Sequence, residues 1–442
     1  MTAGRAGFAV ALAAGVVIRM AALPLPGAGD VDPWKVWSYH AVTDGVTKLY
    51  GTGSPPAYTD FTFHDKIAPV NYPPLALYEL AVVGRAYALA TGGRFPDTVA
   101  LTVALKLLPV VFEAGIVVLL FVAIRRTVGD ARSRWAVVSY WLNPAALVSA
   151  SIGGYLDTLT ALPALAAVVA AAAGWPVTAG ALVACATLTK PQGTLVLPAV
   201  LLAVWNRSDA QSWARWKRLA ATSAGGLAVS AIILAPVAAA GAWPNMVFML
   251  KTMGDDQSLS MSAYNFWWLA GHAMTTGYAL TRGISLWTAL TSPVVYVSFD
   301  RAAAHGLPYL RTAGTVLAAT GIGWALWIGR RVSDLPMVSA VAAFSVCSYA
   351  LLATRVHENH AFVAIPLLVV AAAGRKRFTP ILCAVSAWFT LNVVFYGITD
   401  DGRFSIPRSL TVVDTTLLVA VLGCGSLLWF ATVLYAECVR RL

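Results

Sequence analysis

Long apolar runs dominate this sequence and exclude a water-soluble fold. They recur along all 442 residues, of which 59% are hydrophobic and 12% charged, with a mean hydropathy of +0.71. A soluble domain carries roughly 25% charged residues. A helix needs about 20 apolar residues to cross a bilayer, and no polar block here is long enough to form a sizeable soluble domain. We therefore expect an all-α polytopic membrane protein with residues 1–442 forming a single membrane-embedded unit.

Basic residues fall in short clusters between the apolar runs and predict the orientation of the chain. Arg125-Arg126 and Arg375-Lys376-Arg377 are two such clusters. Because loops rich in Lys and Arg stay cytoplasmic, we assign every cluster to the inner side, which gives about 12 crossings with both termini inside. Two long loops, 24–97 and 241–308, then lie outside and are expected to carry interfacial helices. The clusters also account for the net charge of +11, so no nucleic-acid partner is expected.

Three apolar runs are ambiguous in this topology. If the run from Tyr72 to Thr91 crossed the membrane, the next helix would end outside, so we expect it to lie flat on the outer surface. The run from Ile284 to Phe299 belongs to the second outer loop or to a hairpin that adds two crossings. The first run, Phe8 to Leu23, resembles a secretory signal. We expect it to be retained, because cleavage would release the acidic stretch behind it from the bilayer.

Unusual polar and aromatic residues gather at the predicted outer ends of the helices, whereas the inner ends carry little beyond basic clusters. Six segments contribute them: Asp30, Asp32, Trp34 and Trp37; Asn71 and Tyr72; Asp157; Lys190; Tyr264, Asn265 and Trp267; and Arg355, His357 and Glu358. Each segment has a structural alternative as a helix cap, a snorkelling lysine or an interfacial aromatic belt. One shared site explains the concentration on one side better than separate coincidences do.

Carboxylates facing cationic groups at a membrane surface suit group transfer from a lipid phosphate. A carboxylate can take the proton of an attacking hydroxyl while Arg, His or Lys stabilises the departing phosphate. Indoles and tyrosines offer flat surfaces to a sugar ring. No P-loop is present in the sequence, which disfavours a cytoplasmic nucleotide donor. No metal site is predicted from strong ligand spacing, although Asp30-x-Asp32 could chelate a divalent cation.

The order of these motifs resembles the GT-C superfamily of polyprenyl-phosphate-sugar-dependent glycosyltransferases, and most closely the bacterial relatives of the GPI-anchor mannosyltransferases. The motifs are Asp30-x-x-x-Trp34-x-x-Trp37, Asn71-Tyr72-Pro73-Pro74-Leu75, Gly154-x-x-Asp157, Lys190-Pro191-Gln192, Ala263-Tyr264-Asn265-x-Trp267-Trp268 and His357-Glu358. Two positions depart from the family pattern. Asn71 stands where an Asp is usual, and Tyr155 stands where a Gln is usual.

The resemblance implies a GT-C-like fold and an inverting transfer without a covalent intermediate. A sugar, with mannose as the first candidate, would pass from a polyprenyl-phosphate donor to a glycolipid, glycan or protein hydroxyl on the outer face of a bacterial-type inner (plasma) membrane. Asp30 maps to the general base, and His357, Arg355 and Lys190 to the donor phosphate. The remaining residues are expected to contact substrate: Asp32, Trp34, Trp37, Asn71, Tyr72, Asp157, Tyr264, Asn265, Trp267 and Glu358. The sequence establishes no cofactor and leaves the need for a divalent cation open, and it also leaves open whether Asp30 or Asp32 is the base.

Two other functions compete with this interpretation. A lipid or glycan transporter without chemistry would be favoured by polar residues at the membrane midplane and by inverted repeats, and we find neither in the sequence. A ligase or polymerase that moves whole glycans would keep the same architecture and change only the donor.

Overall fold

The computed structural model describes residues 2–57, 59–207, 212–253, 257–398, 410 and 412–440. Within these ranges most of the chain is helical, as the sequence predicts. The helices of the first half are α1 Thr2–Ala22, α2 Val31–His40, α3 Pro74–Ala90, α4 Val99–Thr127, α5 Asp130–Trp141, α6 Pro144–Ala146, α7 Asp157–Ala173, α8 Pro176–Thr189, α9 Leu197–Asn206 and α10 Ser212–Ala239. Short turns of tighter or wider helix occur at Ala41–Gly45, Val46–Tyr50, Leu147–Gly153 and Pro191–Val196.

The second half continues with helices of very unequal length. They are α11 Trp243–Met253, α12 Phe266–Thr281, α13 Leu286–Thr291, α14 Phe299–Ala304, α15 Leu310–Ile328, α16 Leu335–Leu352, α17 Ala364–Gly374, α18 Thr379–Val393 and α19 Thr415–Val439, with short turns at Lys376–Phe378 and Val394–Ile398. The run from Ile284 to Phe299 contains only α13 and the first residue of α14. Six residues are too few to cross a membrane, so this run does not form the crossing hairpin considered above.

The apolar helices make this chain an integral membrane protein. Among the described residues, six helices are long and apolar enough to cross a membrane, and a bent pair would make a seventh. Four shorter apolar segments of 10–17 residues accompany them: Asp157–Ala173, Pro176–Thr189, Pro191–Asn206 and Ala364–Gly374. Each of the twelve predicted crossing segments contains a helix, but several of those helices are shorter than a bilayer is thick.

One predicted crossing, Trp135 to Ile152, is broken in its middle. Asn143 caps α6 by accepting a hydrogen bond from the backbone N–H of Ala145 at 2.9 Å, and Pro144 follows it. Because proline cannot donate a backbone hydrogen bond, the helix restarts in a new direction there. The segments Asp130–Trp141 and Pro144–Gly153 meet at an angle of 45°. This bend brings Gly153 and Gly154 against the first outer loop.

The first outer loop contains a β-hairpin that the all-α prediction missed. Strands β1 Asp60–Phe63 and β2 Lys66–Pro69 pair antiparallel, with Asp60 opposite Pro69. With four residues each, the strands are too short for a clear alternating pattern in the sequence. Lys66 and Lys35 both donate to Asp97, each at 2.8 Å, and this pairing ties the hairpin to α2 and to the segment before α4.

Two buried cations fix the end of α1, from which the opening acidic stretch emerges. The fully buried Arg19 binds Glu113 of α4 through Nε at 2.8 Å and Nη2 at 3.0 Å, and its guanidinium lies 3.6 Å from the centroid of the Trp141 ring. Lys106 donates to the carbonyls of Ala22 and Leu25, each at 2.9 Å. The backbone ahead of α2 is therefore held by side chains from inside the helix bundle.

Candidate active site

A cavity of about 680 Å³ lies between the first outer loop and the loops that precede α7, α9 and α17. Its walls collect eight of the predicted site residues from four distant parts of the chain. They are Asp30, Trp34, Trp37, Asn71, Tyr72, Lys190, His357 and Glu358. The cavity therefore supports the sequence-based expectation that these loops share one site.

Asp30 stands on the wall formed by the start of α2. It is half-buried and precedes the first residue of the helix, but its side chain forms no capping hydrogen bond. The backbone around it is anchored to the loop after α6, because Ala28 donates to the carbonyl of Gly153 at 2.8 Å and the Trp34 indole donates to that of Gly154 at 3.1 Å. Asp30 therefore lines the cavity from a backbone that is held on both sides by hydrogen bonds.

Three buried aromatic rings form the floor beside Asp30. The Trp34 centroid lies 5.0 Å from Trp37 and 5.1 Å from Tyr72, and the Trp37 and Tyr72 centroids are 5.4 Å apart. Burial raises the pKa of Tyr72, and the nearby charges of Asp30 and Asp157 raise it further against the opposing effect of Lys190. Tyr72 is therefore a neutral phenol at physiological pH.

Two buried polar atoms in this wall lack a hydrogen-bond partner within the described part of the chain. They are Nε1 of Trp37 and Oδ1 of Asn71. Buried polar groups in folded proteins are almost always paired, so each unpaired atom needs an explanation. A bound ligand with hydroxyl groups could supply a partner to each of them.

Lys190 brings a buried positive charge to the opposite wall. Its ammonium binds Asp157 at 2.6 Å and Asn359 at 3.3 Å, and it lies 5.7 Å from the centroid of the Tyr72 ring. Burial opposes this charge, but the carboxylates of Asp157 and Asp30, together with Tyr72, outweigh burial and hold the pKa of Lys190 above its ordinary value. Lys190 thus remains cationic.

A network behind His357 fixes the loop between α16 and α17. The buried carboxylate of Glu358 accepts from Tyr155 at 2.9 Å and from Ser262 at 2.5 Å, and the Ser262 hydroxyl lies 3.4 Å from Nδ1 of His357. Asn392 donates to the backbone carbonyl of Glu358 at 3.1 Å. Glu358 therefore bridges three segments and orients the neighbouring histidine.

A second cavity of about 400 Å³ adjoins the first, since both are lined by His357 and His360. Its polar end carries Arg355, whose φ of +61° is held by a hydrogen bond from its N–H to the carbonyl of Leu259. Much of its remaining wall is apolar and comes from α15, α16 and the residue after α16: Thr315, Ala318, Ala319, Ile322, Tyr349 and Ala353. The second cavity is therefore a mostly apolar groove between α15 and α16 with Arg355 at one end.

Five predicted substrate contacts lie elsewhere in the structure. None of Asp32, Asp157, Tyr264, Asn265 and Trp267 lines either cavity. Asp157 instead pairs with Lys190. Asn265 caps α12 by accepting from the N–H groups of Trp267 and Trp268, and it donates to two carbonyls at the end of α16.

The remaining three have contacts outside the cavity. The Trp267 indole donates to the carbonyl of Leu352 at 2.7 Å, and the Tyr264 backbone donates to Asn392 at 2.7 Å. Asp32 contributes its charge to the raised pKa of Lys66. The Tyr264–Trp267 motif therefore joins α12 to α16 and α18.

Sequence reasoning missed several cavity residues, of which Tyr155, Asn359 and His360 are the most prominent. Tyr155 stands in the Gly-Tyr-Leu-Asp segment, and His360 follows His357 by three residues, so both adjoin motifs that were recognised. The His360 ring nitrogen lies 2.8 Å from the amide nitrogen of Gln192. Burial and the charges of Lys190 and His357 lower the pKa of His360, which keeps it neutral.

The two carboxylates of Asp30-x-Asp32 do not both face the cavity. Only Asp30 of the two lines the cavity. Across the described ranges, no group of three or more His, Cys, Asp or Glu side chains is arranged to hold a metal ion.

The chain resembles known proteins in its three-dimensional structure and not in its sequence. No family model and no curated protein matches the chain. A crystal structure of ArnT from Cupriavidus metallidurans bound to undecaprenyl phosphate matches with a TM-score of 0.50 at 16% identity, over 98% of this chain and 77% of that one. This chain has a GT-C-like membrane fold.

Two further structures are similar at lower scores. The Archaeoglobus fulgidus oligosaccharyltransferase, tethered to an acceptor peptide, gives a TM-score of 0.44 at 12% identity over 97% of this chain and 55% of that one. ArnT in the apo state gives 0.40 at 16% identity over 99% and 78%.

Proposed function

We propose that this protein is an inverting glycosyltransferase that moves a sugar from a polyprenyl-phosphate donor to a hydroxyl acceptor. The proposal rests on one observation, that two cavities of different character adjoin. One has Asp30 and aromatic rings, the other is an apolar groove, and His357 and His360 line both. A lipid-linked sugar phosphate has the same three parts in the same order, namely a ring, a phosphate and an isoprenoid tail.

Asp30 is the proposed general base. In the reaction, the acceptor oxygen attacks the anomeric carbon while its proton passes to the Asp30 carboxylate. The bond between the anomeric carbon and the phosphate oxygen breaks, and its electron pair leaves with the polyprenyl phosphate. Because attack is opposite to the leaving group, the configuration at the anomeric carbon inverts. Asp30 is preferred to Asp32 because Asp30 alone of the two lines the cavity.

The donor phosphate is proposed to lie between His357, Arg355 and Lys190. The charge that grows on the leaving phosphate is stabilised best by cations and hydrogen-bond donors that are already in position. Lys190 is held cationic by Asp157, and His357 is oriented by Ser262 and the Glu358 loop. Arg355 is fixed at the entrance of the groove by its backbone hydrogen bond to Leu259. In this proposal Asp157 and Glu358 act by positioning these groups.

The sugar is proposed to lie against Trp34, Trp37 and Tyr72. Aromatic faces pack on the C–H surfaces of a sugar ring, while Trp37 Nε1 and Asn71 Oδ1 are a donor and an acceptor with capacity left for hydroxyl groups. We propose mannose as the first sugar to test and a glycolipid, glycan or protein as the acceptor. The active site would face the outer side of a bacterial-type plasma membrane, because the basic clusters lie at the opposite helix ends. The undecaprenyl phosphate bound to ArnT supports a polyprenyl carrier.

The test is transfer by the purified chain from a panel of synthetic donors. We expect a new glycosidic bond of inverted configuration from one polyprenyl-phosphate sugar, with mannose tested first, and no product from nucleotide sugars. Product formed only from pyrophosphate-linked oligosaccharides would instead identify a whole-glycan ligase. Translocation of a lipid-linked sugar in proteoliposomes with no new bond would refute the glycosyltransferase and favour the transporter.

A further inference from the structure

A separate cavity of about 660 Å³ lies at the other ends of the helices that reach the candidate active site. Helix α7 runs from Asp157, beside Lys190, to Ala173, which lines this separate cavity. Helix α16 begins here at Leu335 and ends at Leu352, next to the groove of Arg355. Since each residue of a helix adds 1.5 Å, about 25 Å separates the two ends. The cavity therefore belongs to neither part of the proposed reaction site.

Three arginines from distant parts of the sequence converge on this cavity. Arg126 lies in the last turn of α4, Arg207 follows the last residue of α9, and Arg375 follows α17. The helix dipole favours a cation at each of these C-terminal ends separately. It does not explain why three of them line the same cavity.

The positive charge of this cavity is only partly neutralised. The lining contains one acidic residue, Asp334, which lies 3.7 Å from Arg375. Arg375 also lies 3.9 Å from Glu437. Neither Arg126 nor Arg207 has a hydrogen bond or ion pair from its side chain among the residues that the structure describes. An anionic ligand would complete this arrangement.

The Arg207 side chain is exposed, and its guanidinium lies against Gly174. A Cβ atom added at Gly174, which has a φ of +84°, would lie 2.8 Å from Nε of Arg207. The glycine thus lets the arginine lie against the turn between α7 and α8. Because the guanidinium is planar and pre-organised, an arginine loses little side-chain entropy for each hydrogen bond that it forms with an anion.

The remaining walls are suited to hydrocarbon. They include Leu119 and Val122 of α4, Val169 of α7, and Leu335 and Pro336 of α16. Trp175, which is 57% exposed, stands at the rim, and tryptophan is enriched where a membrane meets water. A free phosphate ion would use the arginines but leave the apolar walls without a function.

We propose that this cavity binds an anionic phospholipid of the membrane leaflet at that end. The phosphate group would accept hydrogen bonds from Arg126, Arg207 and Arg375, since guanidinium groups bind phosphate oxygens in pairs. The acyl chains would lie along the apolar wall of α4 and α7. Basic pockets between membrane helices are suited to such headgroups. This site stands independently of the proposed glycosyl transfer.

The test is native mass spectrometry of the full-length chain in detergent with added phosphatidylglycerol, and phosphatidylcholine as the neutral comparison. We expect the wild type to retain phosphatidylglycerol in preference to phosphatidylcholine. Arg207→Gln removes a charge-assisted contact and should weaken retention about tenfold. Arg331→Gln is the matched control, because Arg331 is an exposed arginine at the same end that does not line the cavity.

A second variant tests the apolar wall without removing charge. Ala173 is exposed at the end of α7 and lines the cavity, so Ala173→Phe should fill the acyl path and weaken lipid retention while the protein stays folded. Equal retention in wild type, Arg207→Gln and Ala173→Phe would overturn the proposal. Retention of inorganic phosphate as strong as that of the lipid would overturn the assignment to a phospholipid. Equal binding of phosphatidylcholine would overturn the requirement for an anionic head.

Discussion

The buried pair of Asp157 and Lys190 gives a sharp test of how the candidate site is built. The two side chains are each 4% exposed, and their charged atoms are 2.6 Å apart. If Asp157 positions Lys190, then Asp157→Asn leaves a buried ammonium without its counterion. If Asp157 instead contacts substrate, the change should affect activity and leave stability nearly intact.

The structure sets the expected size of this effect. Breaking a buried ion pair by removing one partner costs about 3–5 kcal/mol of unfolding free energy. Lys190 keeps its hydrogen bond to Asn359 and borders the cavity, so water can reach it from one side. We therefore expect a loss near the lower limit, about 3 kcal/mol. Lys190→Met alone should also destabilise the protein, because Asp157 would then be left buried and unpaired.

The assay is a double-mutant cycle on thermal unfolding in one detergent. The variant that combines Asp157→Asn with Lys190→Met contains neither charge, so it should recover at least half of the stability lost by Asp157→Asn. Losses that simply add in the double variant would show that the two side chains do not interact, and the positioning role of Asp157 would then be wrong.

Three other predictions test different parts of the structure. Gly154→Ala should lower the unfolding free energy by about 3 kcal/mol, because φ is +77° and the added Cβ would lie 2.9 Å from side-chain atoms of Lys106 and Val31. The control Gly283→Ala has a similar φ of +79° but no atom within 4 Å of the added Cβ, so it should lower the unfolding free energy by only about 1 kcal/mol, and equal melting temperatures of the two variants would contradict this. Ala319 lines the groove, so Ala319→Phe should raise KM for a long-chain donor about tenfold and leave KM for a short-chain donor unchanged. The control Leu317→Phe lies outside the groove and should change neither KM. Because the pKa of His360 is lowered in the folded protein, the unfolded chain binds a proton below about pH 6.5 while the folded chain does not. The unfolding free energy should therefore fall on acidification by up to about 1.4 kcal/mol per pH unit. His360→Gln should reduce this pH dependence between about pH 6.5 and 5.5, and an unchanged pH dependence would refute the prediction.

Helix positions were predictable because each crossing helix is marked by a run of consecutive apolar residues. Each predicted crossing contains a helix, and the ends of α7 and α8 differ from prediction by one residue at most. The break at Asn143 was missed because the flanking segments are both apolar, and only the cap and proline mark it. The four-residue strands β1 and β2 were missed because neither is long enough to show a period.

The structure brings together several motif residues that are distant in sequence. Asp30, Lys190 and His357 line the cavity as expected. Asn265 and Trp267 have the same side chains as Asn71 and Trp37 of the cavity wall, but their hydrogen bonds join helix ends that are distant in sequence. No local pattern distinguishes an asparagine that binds a sugar from one that caps a helix, because both uses require the same donor and acceptor.

The central claim is that Asp30 is the base, and the most direct measurement compares two carboxylates two residues apart. We would measure sugar transfer from a saturating polyprenyl-phosphate donor by Asp30→Asn and Asp32→Asn, after showing that both variants unfold at the wild-type temperature. General-base catalysis contributes about 10²–10⁴ in rate, so Asp30→Asn should lose at least about 100-fold in kcat while Asp32→Asn keeps most of it. A wild-type rate in Asp30→Asn, or the larger loss in Asp32→Asn, would contradict the account.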